Sequence, residues 1–142
     1  MFGWEFPHLH HRLTCPGASI LGVSMFVFNN SRIPSLVSLF FPVAAITIGP
    51  FIFIGPGYDS GVRGRILLNH ERIHVKQGAG LLFIGFWILY LLFWVSALLR
   101  TGNPKEAYMD IPFEREAYCN DYDLDYTPGF YTWVNYIFPP RG

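Results

Sequence analysis

Nineteen consecutive uncharged residues, Leu81 to Leu99, separate an H-E-x-x-H pattern at His70–His74 from an acidic pair at Glu114 and Glu116. At 1.5 Å per residue, a helix of that length measures about 28 Å, roughly one bilayer hydrocarbon core. Leu81–Leu99 is apolar on every side and rich in Trp and Tyr, so it is expected to be a membrane-embedded helix; a buried core helix is the competing reading. The segment constrains everything around it. If it crossed a bilayer as one straight rod, the residues before and after it would lie about 30 Å apart on opposite sides. Any contact between the two motifs therefore requires the chain to double back, and Gly78-Ala79-Gly80 is the expected place for a bend.

Composition supports membrane contact. The 142 residues are 51% hydrophobic and only 14% charged, against about 25% charged in an ordinary soluble domain. A single domain of this length cannot hide so much apolar surface from water. Net charge is zero, which removes the electrostatic case for nucleic acid. Residues 1–142 read as one domain. Met1 to Leu13 lacks a basic stretch followed by an apolar one, so no cleavable signal peptide is expected there. His8, His10 and His11 are irregularly spaced near the terminus, and Cys15 and Cys119 form no C-x-x-C pair.

Along the chain, Ser19–Phe28 has strand composition. Residues 36–55 are apolar but interrupted by Pro42, Gly49 and Pro50. They are expected to be a helical or irregular lead-in followed by a strand, with a kinked membrane segment as the alternative. A helix is expected from about Arg63 to Gln77, with Arg72 and Lys76 on its wet face. A turn follows at Thr101–Pro104, then a second helix from Phe113 to about Asp121 and a loop-rich aromatic tail. The fold class is α+β.

On a helix, His70 and His74 share a face and can direct imidazole nitrogens at one ion. Glu71 is turned about 100° away, where it can act as a base on a water at the ion without ligating. That is the arrangement of zinc metallopeptidases. A third protein ligand is then needed, and Phe113-Glu114-Arg115-Glu116-Ala117-Tyr118 offers two acids.

At this point the chain resembles a gluzincin, the metallopeptidase group in which a downstream helix lends a glutamate to the H-E-x-x-H helix. Its prenyl-protein and stress-response membrane peptidases read F-E-x-x-A-D, matched here by Phe113, Glu114 and Ala117, with Tyr118 in place of the aspartate. Small uncharacterised bacterial H-E-x-x-H proteins are similar over roughly residues 43–120. The resemblance implies a minigluzincin-like domain, Zn²⁺ held by His70, His74 and Glu114, catalysis by Glu71, and a peptide or protein substrate. The E-x-A pattern of related small gluzincins would make Glu116 the ligand; otherwise Glu116 faces solvent or supports a ligand from behind. Tyr118 either packs or donates to a developing oxyanion, and Asp110 or Asp121 would stand in for the missing aspartate. A strand within Ile46–Ile54 would pair with extended substrate.

Two other functions compete with a membrane-associated peptidase. One is a non-catalytic membrane protein with a structural or vestigial metal site. The other is an oxidative enzyme of the histidine-box type, which resembles clusters of about eight histidines, whereas this chain has five.

Overall fold

The computed structural model describes residues 25–38, 43–58 and 60–138. The histidines at 8, 10 and 11, Cys15 and most of Ser19–Phe28 lie outside them.

Strand β1 (Phe26–Phe28) and helix α1 (Ile33–Val37) lead into a hairpin of β2 (Ala45–Ile48) and β3 (Phe51–Ile54). Ile48 pairs with Phe51, so Gly49-Pro50 is a two-residue turn. Gly49 takes φ of +60°, a conformation glycine adopts without steric cost, and Pro50 supplies a fixed negative φ after it. The described part of the apolar stretch at 36–55 thus holds the end of α1 and the two strands of the hairpin. The sheet has the order β1-β3-β2, with β1 parallel and β2 antiparallel to β3. β3 is therefore central, so of the Ile46–Ile54 stretch expected to supply an edge only the β2 part, Ile46–Ile48, lies at one. Among the described residues the free edge next to the motif helix belongs to β2.

Helix α2 (Gly61–Gly80) carries His70 and His74 and lies on the sheet. Ile52, Ile54 and Ala45 pack with Val75 in the buried seam between them. The helix then stops abruptly. Leu82 and Phe83 adopt φ of +54° and +56°, and helix α3 (Ile84–Thr101) starts at once in a new direction. Glycine makes this reversal fit: a Cβ on Gly78 would come within 2.8 Å of the Phe83 ring, and one on Gly80 within 2.9 Å of Phe130. The expected bend is present, displaced to the three residues after Gly80, with α2 intact through Gly78-Ala79-Gly80.

α3 is apolar all round in sequence but two-sided in the fold. Phe86 and Ala97 are buried on its inner face, while Ile84, Ile88, Leu91, Leu92, Val95 and Leu99 are exposed on the other. Helix α4 (Pro104–Met109) packs back along α3; it starts at the end of the expected Thr101–Pro104 turn, in residues for which no helix was expected. Asn103 caps α4, its side-chain oxygen accepting from the Lys105 and Glu106 amides, and Pro104 opens its first turn. Helix α5 (Pro112–Asn120) follows and packs on α2, and a short 3₁₀ helix, Thr132–Tyr136, closes the described chain. The whole is mixed α+β, with a three-stranded sheet, five α-helices among the described residues, and one helix long and apolar enough to cross a membrane.

Candidate metal centre

Three contacts put α5 where it can complete a site on α2. Phe113, fully buried, sets its ring at a tilt 4.8 Å from that of Phe86 and 4.9 Å from that of Trp133, anchoring the first turn of α5 in an aromatic cluster with α3. Ala117 packs against Ile73 and Tyr126, and its small side chain lets the two helices approach closely. Asn69, just before the motif, donates from Nδ2 to the backbone oxygens of Asn120, Asp121 and Asp123 at 2.9–3.3 Å. It thereby ties the start of the motif to carbonyls at and just beyond the C-terminal end of α5.

With the helices so held, His70, His74 and Glu114 converge, each offering one ligand atom within 4.8 Å of the others. His70 Nε2 lies 3.1 Å from His74 Nε2 and 3.2 Å from Oε2 of Glu114, and His74 Nε2 lies 3.2 Å from Oε1. A tetrahedral ion with bonds of about 2.0–2.1 Å spaces its ligands by about 3.3 Å, so the donor set fits such an ion without large movement. Glu71, also buried on α2, lies outside the three-residue cluster but close enough for its charge to act on both histidines. Its Oε2 accepts a 2.7 Å hydrogen bond from the Thr47 hydroxyl on β2, which ties this carboxylate to the edge strand.

The other acids fall into separate roles. Glu116 is buried, not solvent-facing: Oε2 accepts from Gln77 at 2.8 Å and Oε1 from Tyr126 at 2.7 Å. It is outside the three-residue cluster. Asp110 pairs with Arg100 and Arg115, away from the histidines. Asp121 is the acid nearest the far side of the His70 ring, with Oδ2 3.9 Å from Nδ1, a charge contact longer than a hydrogen bond. Its buried Oδ1 has no hydrogen-bond partner among the described residues.

Tyrosines surround the carboxylate. Tyr90 from α3 and Tyr108 from α4 donate to Oε1 and Oε2 of Glu114 at 2.7 and 2.8 Å. Tyr118 lies face to flank with His70, ring centroids 4.5 Å apart, and its hydroxyl is 3.5 Å from that of Tyr108. Gln77, Asn69, Tyr90 and Tyr108 were absent from the expectations drawn on sequence. Only Asn69 and Gln77, polar residues on the apolar side of a helix, carried a signal that could have drawn attention to them.

Charge in the cluster is self-consistent. Burial opposes protonation of His70, but the carboxylates of Asp121 and Glu114 outweigh it and raise its pKa to about 10. For His74 burial is likewise overcome, here mainly by Glu114, and its pKa is also raised. Burial works against ionisation of Glu114 too, yet His74 and His70 hold it well below the usual carboxylate range. Two imidazoles thus share one buried carboxylate, a concentration of ionisable groups that a bound cation would neutralise without their protons. Comparison with protein-family models, with curated proteins and with solved structures gives no match.

Proposed function

We propose that the chain is a membrane-associated zinc metallopeptidase of the gluzincin type, with a minigluzincin-like core. The observation that carries this reading is the convergence of His70 and His74 from α2 with Glu114 from α5, with Glu71 outside that cluster and bonded to Thr47. His70, His74 and Glu114 would hold the ion, and Glu116 supports the site from behind. Zn²⁺ in such a site supplies Lewis acidity and lowers the pKa of a water toward about 7. Glu71 then takes the proton from the attacking water and passes it to the nitrogen of the peptide bond as the C–N bond breaks. An extended peptide can add to the free edge of β2, since Thr47 on that strand is already bonded to Glu71. Tyr118, whose hydroxyl lies 3.5 Å from that of Tyr108 beside Glu114, is the candidate donor to charge developing on the carbonyl oxygen.

Membrane association rests on α3, whose outward face carries no charge from Ile84 to Leu99, about 24 Å. Tyr90 on its inner face touches Glu114, so α3 runs alongside the site and does not divide it.

One observation favours a non-catalytic reading with a structural ion: His70, His74, Glu71 and Glu114 are all 7% exposed or less. Zinc analysis and peptide hydrolysis separate the two. Wild-type protein in detergent should carry about one equivalent of Zn²⁺, His70→Ala and His74→Ala should lose it, and a fluorogenic peptide library should be cleaved. Glu71→Gln should retain the zinc and lose the cleavage. Equal zinc in all variants would overturn the site. Zinc without cleavage would favour the structural ion, and cleavage by Glu71→Gln at the wild-type rate would refute the mechanism.

A further inference from the structure

Gln77 lies one helical turn after His74 and is fully buried, which is unusual for an uncharged amide unless each of its atoms is bonded. Its Nε2 is 3.1 Å from the Phe113 carbonyl oxygen and 2.8 Å from Oε2 of Glu116. A backbone carbonyl can only accept, so this end of the amide is the NH₂ group, and the assignment does not depend on the ionisation of Glu116. Oε1 is then the end that faces His74 Nδ1 at 2.8 Å. An amide oxygen can only accept, so Nδ1 of His74 must carry a hydrogen. That leaves Nε2 as the ligand nitrogen, and Nε2 is the atom aimed at His70 and Glu114.

We propose that Gln77 is a positioning residue that fixes the tautomer and ring orientation of His74 for metal binding, with Glu116 and the Phe113 carbonyl holding the amide from behind. The inference rests on the metal-binding reading above. Glu116 is itself held, since Oε1 accepts from Tyr126 at 2.7 Å and the Asn120 amide bonds the Glu116 carbonyl at 2.7 Å. The relay thus runs from the loop after α5, through α5, to a ligand on α2. Docking of the helix that brings Glu114 is the same event that orients His74.

The test uses the full chain in detergent with Zn²⁺ alone as the probe. In zinc-loaded wild type, nitrogen NMR of His74 should show Nε2 as the metal-bound nitrogen and a slowly exchanging proton on Nδ1. Gln77→Met, similar in size but without the amide, should bind Zn²⁺ about 10–100-fold more weakly in chelator competition and lose the slow Nδ1 proton. Tyr126→Phe, which removes only the far hydroxyl, should weaken binding by a smaller factor. A purely structural role would lower stability and leave the His74 spectrum unchanged. Coordination of wild-type His74 through Nδ1 overturns the proposal even if Gln77→Met fails to fold. So does equal zinc affinity in a folded Gln77→Met. Wild type that binds no zinc overturns the metal reading and this proposal together, whereas failure of the relay alone leaves wild-type binding intact.

Discussion

The hydroxyl of Tyr90, midway along the apolar helix α3, donates a 2.7 Å hydrogen bond to Oε1 of Glu114 on α5. Composition leads one to expect Tyr90 in a membrane segment, and the fold turns it inward onto Glu114, a carboxylate that His74 and His70 hold well below the usual range. The apolar helix is therefore one wall of the candidate metal centre. A hydrogen bond to a buried charge contributes about 1.5–3 kcal/mol. Tyr90→Phe should lower the stability of the metal-free protein by about that amount, with the α3 ring packing retained. Thermal unfolding in detergent is the check, and an unchanged melting temperature would mean that α3 docks without this bond.

Glu114 and Glu116 are two apart on α5, pointing about 200° from each other, and both are buried. They differ in what they meet: Glu114 meets two imidazoles, and Glu116 meets Gln77 and Tyr126. Glu114→Ala should abolish most zinc binding. Glu116→Ala should retain a zinc site with weakened affinity and also cost stability, because it leaves the Gln77 amide and the Tyr126 hydroxyl short of an acceptor. Metal content after dialysis distinguishes the two, and the reverse pattern would move the ligand role to Glu116.

The pH dependence of the metal-free protein follows from the same pair. His70, raised from 6.5 to about 10, contributes stability in full below about pH 6.5 and loses it as the pH climbs through 10. Glu114, held well below 4.5, contributes in full above that value and loses it as the pH falls through its lowered pKa. The pair thus supports the metal-free fold best between about pH 4.5 and 6.5, and melting temperature should fall on either side. Zinc must displace protons from His70 and His74, so its affinity should rise with pH over the range where metal-free stability declines. Calorimetric titrations in buffers of different ionisation enthalpy would detect proton release near pH 7; zinc uptake without it would show that the histidines are already neutral.

Much of this arrangement was legible because it is local. His70 and His74 are related by helical period alone, and the apolar length of α3 follows from composition. The reversal after Gly80 could be placed to within three residues, because two motifs that must meet cannot be separated by a straight rod. Helix α4 was missed although Asn103-Pro104 is a recognisable start, since six residues give too short a pattern to register against the surrounding turn signals. The supporting contacts were out of reach for a different reason. Gln77 acts on groups 36 and 39 positions away, and Tyr90 on one 24 away. Such partners depend on how helices dock, which no single-segment periodicity encodes. Glu116 was expected to face water or to support a ligand, and its burial follows from the same docking.

The outer face of α3 gives the remaining prediction. Ile88, Leu91 and Leu92 are 55–60% exposed and make up the middle of an uncharged stripe that continues to Leu99. Burial of apolar side chains is worth roughly 1.5–3 kcal/mol each, so leaving this stripe in water is costly and covering it with lipid is favourable. Ile88→Glu with Leu92→Glu would place two charges on that face without touching Phe86, Tyr90 or the ligands. The double variant should fold and keep its zinc, because the substituted side chains make no core contact. It should lose flotation with liposomes, since a carboxylate in the hydrocarbon region costs several kcal/mol. Wild type should float and need detergent for extraction. Recovery of wild type as a monodisperse soluble monomer, or undiminished flotation of the double variant, would show that α3 does not carry the membrane contact.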